Sequence, residues 1–235
     1  MKINIILYSL VLILGFNQKK CFQDDPWYYP LKSNNLKAFE QLNGSASYEI
    51  QDRMLIGTST LNSPNSFLAL KEKYADFILE FEVKIDLDLN SGVQIRSHCD
   101  PNIKDGRVHG YQVEIETSDR RWAGGIYEES GRGWLYPLTE HAMSREAWNN
   151  EQWNHYRIEA IGDTLKTWVN GTACAYLIDD LSSEGIIAFQ VHSISDERLE
   201  GKKVYWKNIR ILDSDVEKHR IKIDAQIHQV DLTLK

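Results

Sequence analysis

Residues 153–177 read Trp153-Asn154-His155-Tyr156-Arg157-Ile158-Glu159-Ala160-Ile161-Gly162-Asp163-Thr164-Leu165-Lys166-Thr167-Trp168-Val169-Asn170-Gly171-Thr172-Ala173-Cys174-Ala175-Tyr176-Leu177. Asn170-Gly171 between Trp168-Val169 and Thr172-Ala173 is a strong signal for a two-residue type I′ hairpin, because both central positions need φ > 0. Ile161-Gly162-Asp163-Thr164 is a second, weaker one. The flanking runs are short and rich in β-branched and aromatic residues, with no sustained 3.6-residue period, so they read as strands. Working outward, the same pattern predicts strands at Tyr48–Gln51, Arg53–Gly57, Ser66–Leu70, Phe77–Ile85, Gly92–Ser97, Gly110–Glu116, Gly124–Tyr127, Trp153–Ile161, Thr164–Val169, Thr172–Leu177, Gly185–His192 and Lys203–Leu212. Strands at this spacing make an all-β sandwich of two antiparallel sheets, not a parallel α/β sheet. Thr139–Trp148 is the one expected helix.

Composition narrows the function. The 235 residues carry 27 Lys and Arg against 34 Asp and Glu, a net charge of −7, which argues against a nucleic-acid-binding face. A hydrophobic fraction of 42 % with seven Trp supports a globular core rather than disorder. Lys2 followed by the apolar run Ile5–Phe16 has the order of a secretory leader, too short to span a bilayer comfortably. The expectation is a leader or anchor over 1–20, a domain over 21–213 and an extension over 214–235. The protein is then exported, to a periplasm, cell surface or medium, and touches a membrane only through an uncleaved or lipidated leader. Loss of Lys2, Lys19 and Lys20 with the leader would make the rest more acidic. Cys99 and Cys174 are expected as separate thiols, because a domain of this size needs no disulfide. Beyond Asp213, Ile221, Ile223, Ala225 and Ile227 alternate with polar residues, and Val230, Leu232 and Leu234 continue after a phase slip, reading as an added edge strand.

Period-two alternation assigns faces. Val93 and Ile95 oppose Gln94 and Arg96. Tyr111, Val113 and Ile115 oppose Gln112, Glu114 and Glu116. Ile187, Phe189 and Val191 oppose Gln190 and His192. Three strands thus offer amide and ionisable groups on one face, the pattern of a functional concave sheet, although a solvated face also alternates. Glu114 and Glu116, two apart on one strand, can have their pKa values pushed apart to give an acid and a base. Glu114 with His192 can equally ligate a divalent metal ion, and Arg96 can stabilise a developing oxyanion. Trp122, Tyr127, Trp134 and Tyr136 cluster in a Gly-rich stretch and suit the flat faces of sugars, whereas Trp153, Trp168 and Trp206 read as core. No Gly-x-Ser-x-Gly elbow, phosphate loop, His-Glu-x-x-His or zinc-spaced Cys pair occurs, which removes serine-hydrolase, nucleotide and zinc-peptidase readings.

Several ordered motifs carry a family resemblance. Phe67–Glu82, Asn90-Ser91-Gly92-Val93-Gln94-Ile95-Arg96-Ser97 and Gly110-Tyr111-Gln112-Val113-Glu114-Ile115, then Trp153–Ile158, Trp168-Val169-Asn170-Gly171, Ile187–His192 and Trp206–Ile211, resemble the 3-keto-disaccharide hydrolase domain family over residues 36 to 212. The resemblance implies a concanavalin-like jelly roll whose concave face carries the site, in exported proteins that act on glycosides. It also implies cleavage of 3-keto sugars, in which the C3 keto group acidifies the C2 proton and the C1 oxygen leaves by elimination. Glu114, Arg96 and His192 stand at family motif positions for base, electrophile and acid. Glu116 and Gln190 support them, and Lys207 stands where the family often has a basic residue.

The full expected set is Glu114, His192 and Arg96 as catalytic groups, with Gln94, Gln112, Glu116, Gln190, Tyr127, Trp134 and Lys207 as substrate contacts. The metal, if present, is one divalent ion on Glu114 and His192, and the partner is a carbohydrate. Two alternatives stay open: a non-catalytic carbohydrate-binding module with Trp122, Tyr127 and Trp134 as its platform, and a conventional glycosidase using Glu114 and Glu116. For the latter, carboxyl separation distinguishes retaining enzymes (roughly 5–5.5 Å) from inverting ones (roughly 6.5–9.5 Å).

Overall fold

The computed structural model describes residues 25–223 and 230–231; the leader lies outside them. Among the described residues no helix is long and apolar enough to cross a membrane. The strands are β1 (Phe39–Asn43), β2 (Ser47–Gln51), β3 (Met54–Thr58), β4 (Ser66–Tyr74), β5 (Phe77–Ile85), β6 (Asn90–His98), β7 (His109–Glu116), β8 (Ile126–Glu129), β9 (Gly133–Tyr136), β10 (Asn154–Ile161), β11 (Thr164–Val169), β12 (Thr172–Ile178), β13 (Gly185–Val191), β14 (Lys203–Leu212) and β15 (Val230–Asp231). They form a seven-stranded sheet, β1-β4-β13-β6-β7-β8-β9, and an eight-stranded sheet, β15-β12-β11-β10-β5-β14-β3-β2. Every pairing is antiparallel except β12 with β15, where Leu177 and Ile178 meet Val230 and Asp231. The expected all-β jelly-roll sandwich is the observed architecture. The added edge strand is β15, while Ile221 and Ile223 lie outside any strand and the expected break near His228 falls outside the described residues.

The hairpin signals act as expected. Asn170 and Gly171 take φ of 49° and 80° and join β11 to β12, with Val169 opposite Thr172. Arg53, expected to open a strand, is instead a turn residue. Asp52 and Arg53 have φ of 52° and 60° and connect β2 to β3. The expected helix shrinks to one turn, α1 (Ala142–Arg145), where the Ser144 hydroxyl donates to the Ala173 carbonyl (2.8 Å).

The core lies between the sheets. Val93, Ile95, Tyr111, Val113, Ile115, Ile187 and Phe189 from one sheet meet Leu79, Phe81, Val83, Tyr156, Ile158, Val204 and Trp206 from the other. Phe81 stacks on Tyr156 at 5.1 Å between ring centroids, and Phe189 meets Trp206 edge-on at 5.6 Å. Each such fully buried large side chain contributes about 1.5–3 kcal/mol by leaving water. Cys99 and Cys174 are free thiols, and burial pushes the Cys174 thiol up to about 12.

Alternation then leaves the outer face of the seven-stranded sheet to the polar residues of β6, β7 and β13. Part of this face is apolar and covered. Phe67, Ala69, Ile186 and Ala188 pack with Val108, whose N–H donates to the Asn43 side chain (2.8 Å) and so ties the β6–β7 loop over them. The sheet also curls. Asn65, just before β4, donates from Nδ2 to Glu129 Oε1 at the end of β8 (3.2 Å), although β13, β6 and β7 lie between those strands. The face is therefore concave, and the polar residues lie in its hollow.

Candidate functional site

A cavity of about 290 Å³ opens in this hollow, lined by Asn65, Asn90, Gln112, Glu114, Arg120, Tyr127, Glu129, Trp134 and His192. Its floor is a chain of hydrogen bonds along β6 and β7. Ser97 Oγ donates to Gln94 Oε1 (2.7 Å), Gln94 Nε2 to Gln112 Oε1 (2.7 Å), and Gln112 Nε2 to Glu114 Oε2 (3.3 Å). At Glu114 Oε1 the chain meets Asn90 Nδ2 (2.6 Å) and Arg120 Nη2 (3.2 Å).

Glu114 is 3 % exposed. Burial, reinforced by the neighbouring charge of Glu116, pushes its pKa up to about 7, against the opposing bonds from Asn90, Arg120 and Gln112. Glu116 has a different environment. It accepts from Ser118 Oγ (2.8 Å), from Arg120 Nη2 (2.7 Å) and from the Trp122 N–H (2.5 Å). Arg120 lies against two rings that meet edge-on at 4.7 Å, its Cζ 4.8 Å from the Trp122 centroid and 4.6 Å from that of Trp134. Tyr127 extends the aromatic wall, 5.3 Å from Trp134. Across the cavity, burial raises the Glu129 pKa above its ordinary value. His192 Nδ1–H donates to the Ser193 carbonyl (2.8 Å), which fixes the tautomer and leaves Nε2 free to accept a hydrogen bond or carry a second proton.

Glu114, His192, Gln112, Tyr127 and Trp134 are thus gathered in one cavity, with Gln94 and Glu116 beneath or beside it. Three expected residues do not line it: Gln190, fully buried on β13, Arg96 and Lys207. Arg96 takes φ of 47° at a β-bulge, where the β6–β7 register shifts between Ile95 and His98. The bulge breaks the alternation that put Arg96 beside Gln94. Its guanidinium donates to the carbonyls of Ala75 (2.7 Å) and Gly162 (2.7 Å) and to Asp76 Oδ1 (2.9 Å), so it clamps the β4–β5 and β10–β11 turns together. Lys207 lies in the other sheet. Because Trp206 fills the core, Lys207 points outward, against Glu82 (3.2 Å) and over the Trp153 ring (4.1 Å). Trp153, expected in the core, therefore holds a surface lysine.

The expected metal ion would have Glu114 and His192, both at this cavity, as its ligands. Among the described residues no three His, Cys, Asp or Glu side chains converge on a common point. At Glu114 the positive charge is already supplied by Arg120.

Sequence reasoning missed Arg120, Asn90, Asn65 and Glu129. Arg120 was findable in principle, four residues beyond Glu116 and two before Trp122. Asn65 and Glu129 meet only through the curl of the sheet and left no local signal.

Residues 30–212 match the model of the 3-keto-alpha-glucoside-1,2-lyase-like domain. The chain belongs to that family. This agrees with the resemblance carried by the motifs between 36 and 212. Among solved structures, a putative glycosyl hydrolase from Parabacteroides distasonis is similar at 17 % identity, covering 80 % of this chain and 94 % of that one, with a TM-score of 0.57. A second putative glycosyl hydrolase from the same organism gives 18 % identity, 79 % and 98 % coverage, and 0.52. A Bacillus subtilis protein of unknown function with a galectin-like fold gives 11 % identity, 79 % and 94 % coverage, and 0.57. These likenesses show that the lyase-like domain here has a galectin-like sandwich fold. No curated protein matches the chain.

Proposed function

We propose that this protein cleaves the glycosidic bond of 3-keto-glycosides by elimination, with Glu114 as the base. The observation that carries the reading is a buried carboxyl group with a pKa of about 7 on the floor of a cavity of about 290 Å³, the size of a single sugar ring. A base poised near neutrality takes a weakly acidic proton without being permanently ionised. Family membership and the putative glycosyl hydrolases among the fold neighbours favour a carbohydrate as the ligand. Glu114 accepts the C2 proton, and the electrons of the C2–H bond pass towards the C3 oxygen. Arg120 is the cation for that oxygen in place of Arg96: its Nε and Nη2 are bound to the two glutamates, while Nη1 makes no hydrogen bond among the described residues. Collapse of the enolate forms the C1–C2 double bond and expels the C1 oxygen, which takes a proton from His192 Nε2. Water then adds across the double bond or the unsaturated sugar departs.

The test is turnover of a 3-keto-glucoside beside the parent glucoside. Cleavage of the keto sugar alone, lost in Glu114→Gln, supports elimination. Equal cleavage of both sugars points to a conventional glycosidase. Binding without cleavage, lost on Trp134→Ala, points to a binding module.

A further inference from the structure

Gln190 is fully buried, and neither its Oε1 nor its Nε2 has a hydrogen-bond partner among the described residues. A buried amide with both polar atoms unmatched is destabilising, and native proteins keep few of them. Its position suggests what it is kept for. On β13, Gln190 follows Phe189, which is opposite Val93 of β6, so Gly92 is its neighbour on that strand. The Ser91 hydroxyl donates to the Gln190 carbonyl (2.6 Å), which fixes this alignment. On the far side of Gly92, in register on β7, is Glu114. Reading across the concave face, the row is amide, glycine, carboxyl, with about 9–10 Å between the backbones of Gln190 and Glu114.

A glycine in that row would leave a trough. The trough is filled by the side chain of Gln112, whose Cδ lies 2.5 Å from where a Cβ on Gly92 would stand. Buried as it is, Gln112 makes its side-chain hydrogen bonds among the described residues to Gln94 and, at 3.3 Å, to Glu114. Both bonds are side chain to side chain, so rotation of Gln112 breaks no backbone contact.

We propose that the Gln112 side chain is a displaceable cover over a sugar seat at Gly92. The ring of the bound glycoside takes its place between the Glu114 carboxyl and the Gln190 amide, which pairs with the ring hydroxyls. An amide carries both a donor and an acceptor, so it matches a neutral hydroxyl pair and gives no preference to a charged sugar. Occupancy satisfies Gln190 and places the ring against the base. This inference rests on the Glu114 cavity being a sugar site.

The experiment measures calorimetric binding of methyl 3-keto-α-glucopyranoside in a Glu114→Gln background, which prevents turnover, together with melting temperature. Gly92→Ala puts a methyl group in the seat and turns the Gln112 side chain aside from Cγ outward without touching backbone, so the protein is expected to fold, as the melting temperature checks, and to bind at least tenfold more weakly. Gln190→Met keeps the volume and removes the unmatched amide. It is expected to raise Tm by about 2–4 °C while weakening binding at least tenfold. Gln112→Ala removes the group that the sugar must displace and is expected to bind more tightly than its parent. Unchanged binding in Gly92→Ala or Gln190→Met overturns the seat, and unchanged or weaker binding in Gln112→Ala overturns the cover. Turnover by the unmutated protein is scored separately. Binding that depends on Gly92 and Gln190 without turnover keeps the seat and removes the lyase reading, whereas turnover indifferent to both variants does the reverse. Absence of both binding and turnover overturns both.

Discussion

Glu114 and Glu116 share the guanidinium of Arg120 unequally: Nη2 is 2.7 Å from Glu116 Oε2 and 3.2 Å from Glu114 Oε1. Glu116 also takes a hydroxyl and a backbone N–H, so its charge is well solvated by the protein. Glu114 is left with amides and the more distant edge of the cation. The pair therefore divides its work, Glu116 anchoring Arg120 and Glu114 keeping its proton affinity. Glu114→Gln is expected to lower kcat/KM by about 10²–10⁴, the usual contribution of a general base. In the unmutated protein the acid limb of kcat/KM should rise with pH through an apparent pKa near 7, because the base must be ionised, and the alkaline limb should fall as the proton donor to the leaving oxygen is lost. A flat profile between pH 5 and 9 would count against Glu114 as the base.

The same shift has a consequence for stability. Glu114 has a raised pKa in the folded state, so between about 4.5 and 7 the folded protein binds more protons than the unfolded one, and stability falls as pH rises through that window. The size is ~3 kcal/mol for a shift of this order. Glu114→Gln lacks the titration. Relative to the unmutated protein it is expected to gain ~3 kcal/mol between pH 5 and pH 8, read from denaturant unfolding at the two pH values. Parallel pH dependence in the two proteins would show that Glu114 titrates normally.

Arg120 should be hard to replace. Its planar group lies against the edge-on pair Trp122 and Trp134 while bridging two carboxylates, which an ammonium does not reproduce. Arg120→Lys and Arg120→Gln are both expected to lower kcat by about 10²–10³, the usual effect of losing an oxyanion-stabilising donor. A Lys variant with full kcat would mean that Arg120 supplies charge alone.

If Arg120 is the electrophile, a metal chelator should leave turnover unchanged. Assay after exhaustive EDTA treatment, with and without added Mn²⁺ or Zn²⁺, checks this. Loss on chelation and recovery on addition would restore the divalent ion on Glu114 and His192.

The fold was legible where the side-chain period was unbroken. Gln112, Glu114 and Glu116 could be placed on one face of β7 from alternation, and Asn170-Gly171 could be given its turn. Alternation failed at Arg96, because a single left-handed residue at a bulge redirects its own side chain and resets the phase, and nothing in Ile95-Arg96-Ser97 announces it. It was silent on Lys207, because alternation gives the face of a strand and not the sheet in which the strand lies. Asn65 and Glu129 were out of reach for a third reason: their meeting depends on sheet curvature, a collective property of the strands between them.

Arg96 therefore gives a prediction opposite to the one its motif position suggested. It is 1 % exposed and satisfies two turn carbonyls and Asp76, which is half exposed. Truncation removes three charge-assisted hydrogen bonds that tie two turns together and leaves a cavity where the buried side chain lay, so Arg96→Ala is expected to lose about 2–4 kcal/mol of stability. The Glu114 cavity shares no hydrogen bond with this clamp, so kcat/KM at 25 °C, well below the lowered Tm, should stay within about twofold of the unmutated value. Lys207→Ala, on the opposite sheet, should change kcat/KM as little and stability by under about 1 kcal/mol, since it loses only a partly exposed ion pair and a ring contact. A hundredfold fall in kcat/KM for Arg96→Ala with unchanged Tm would return Arg96 to the reaction centre and remove the bulge as the explanation of its position.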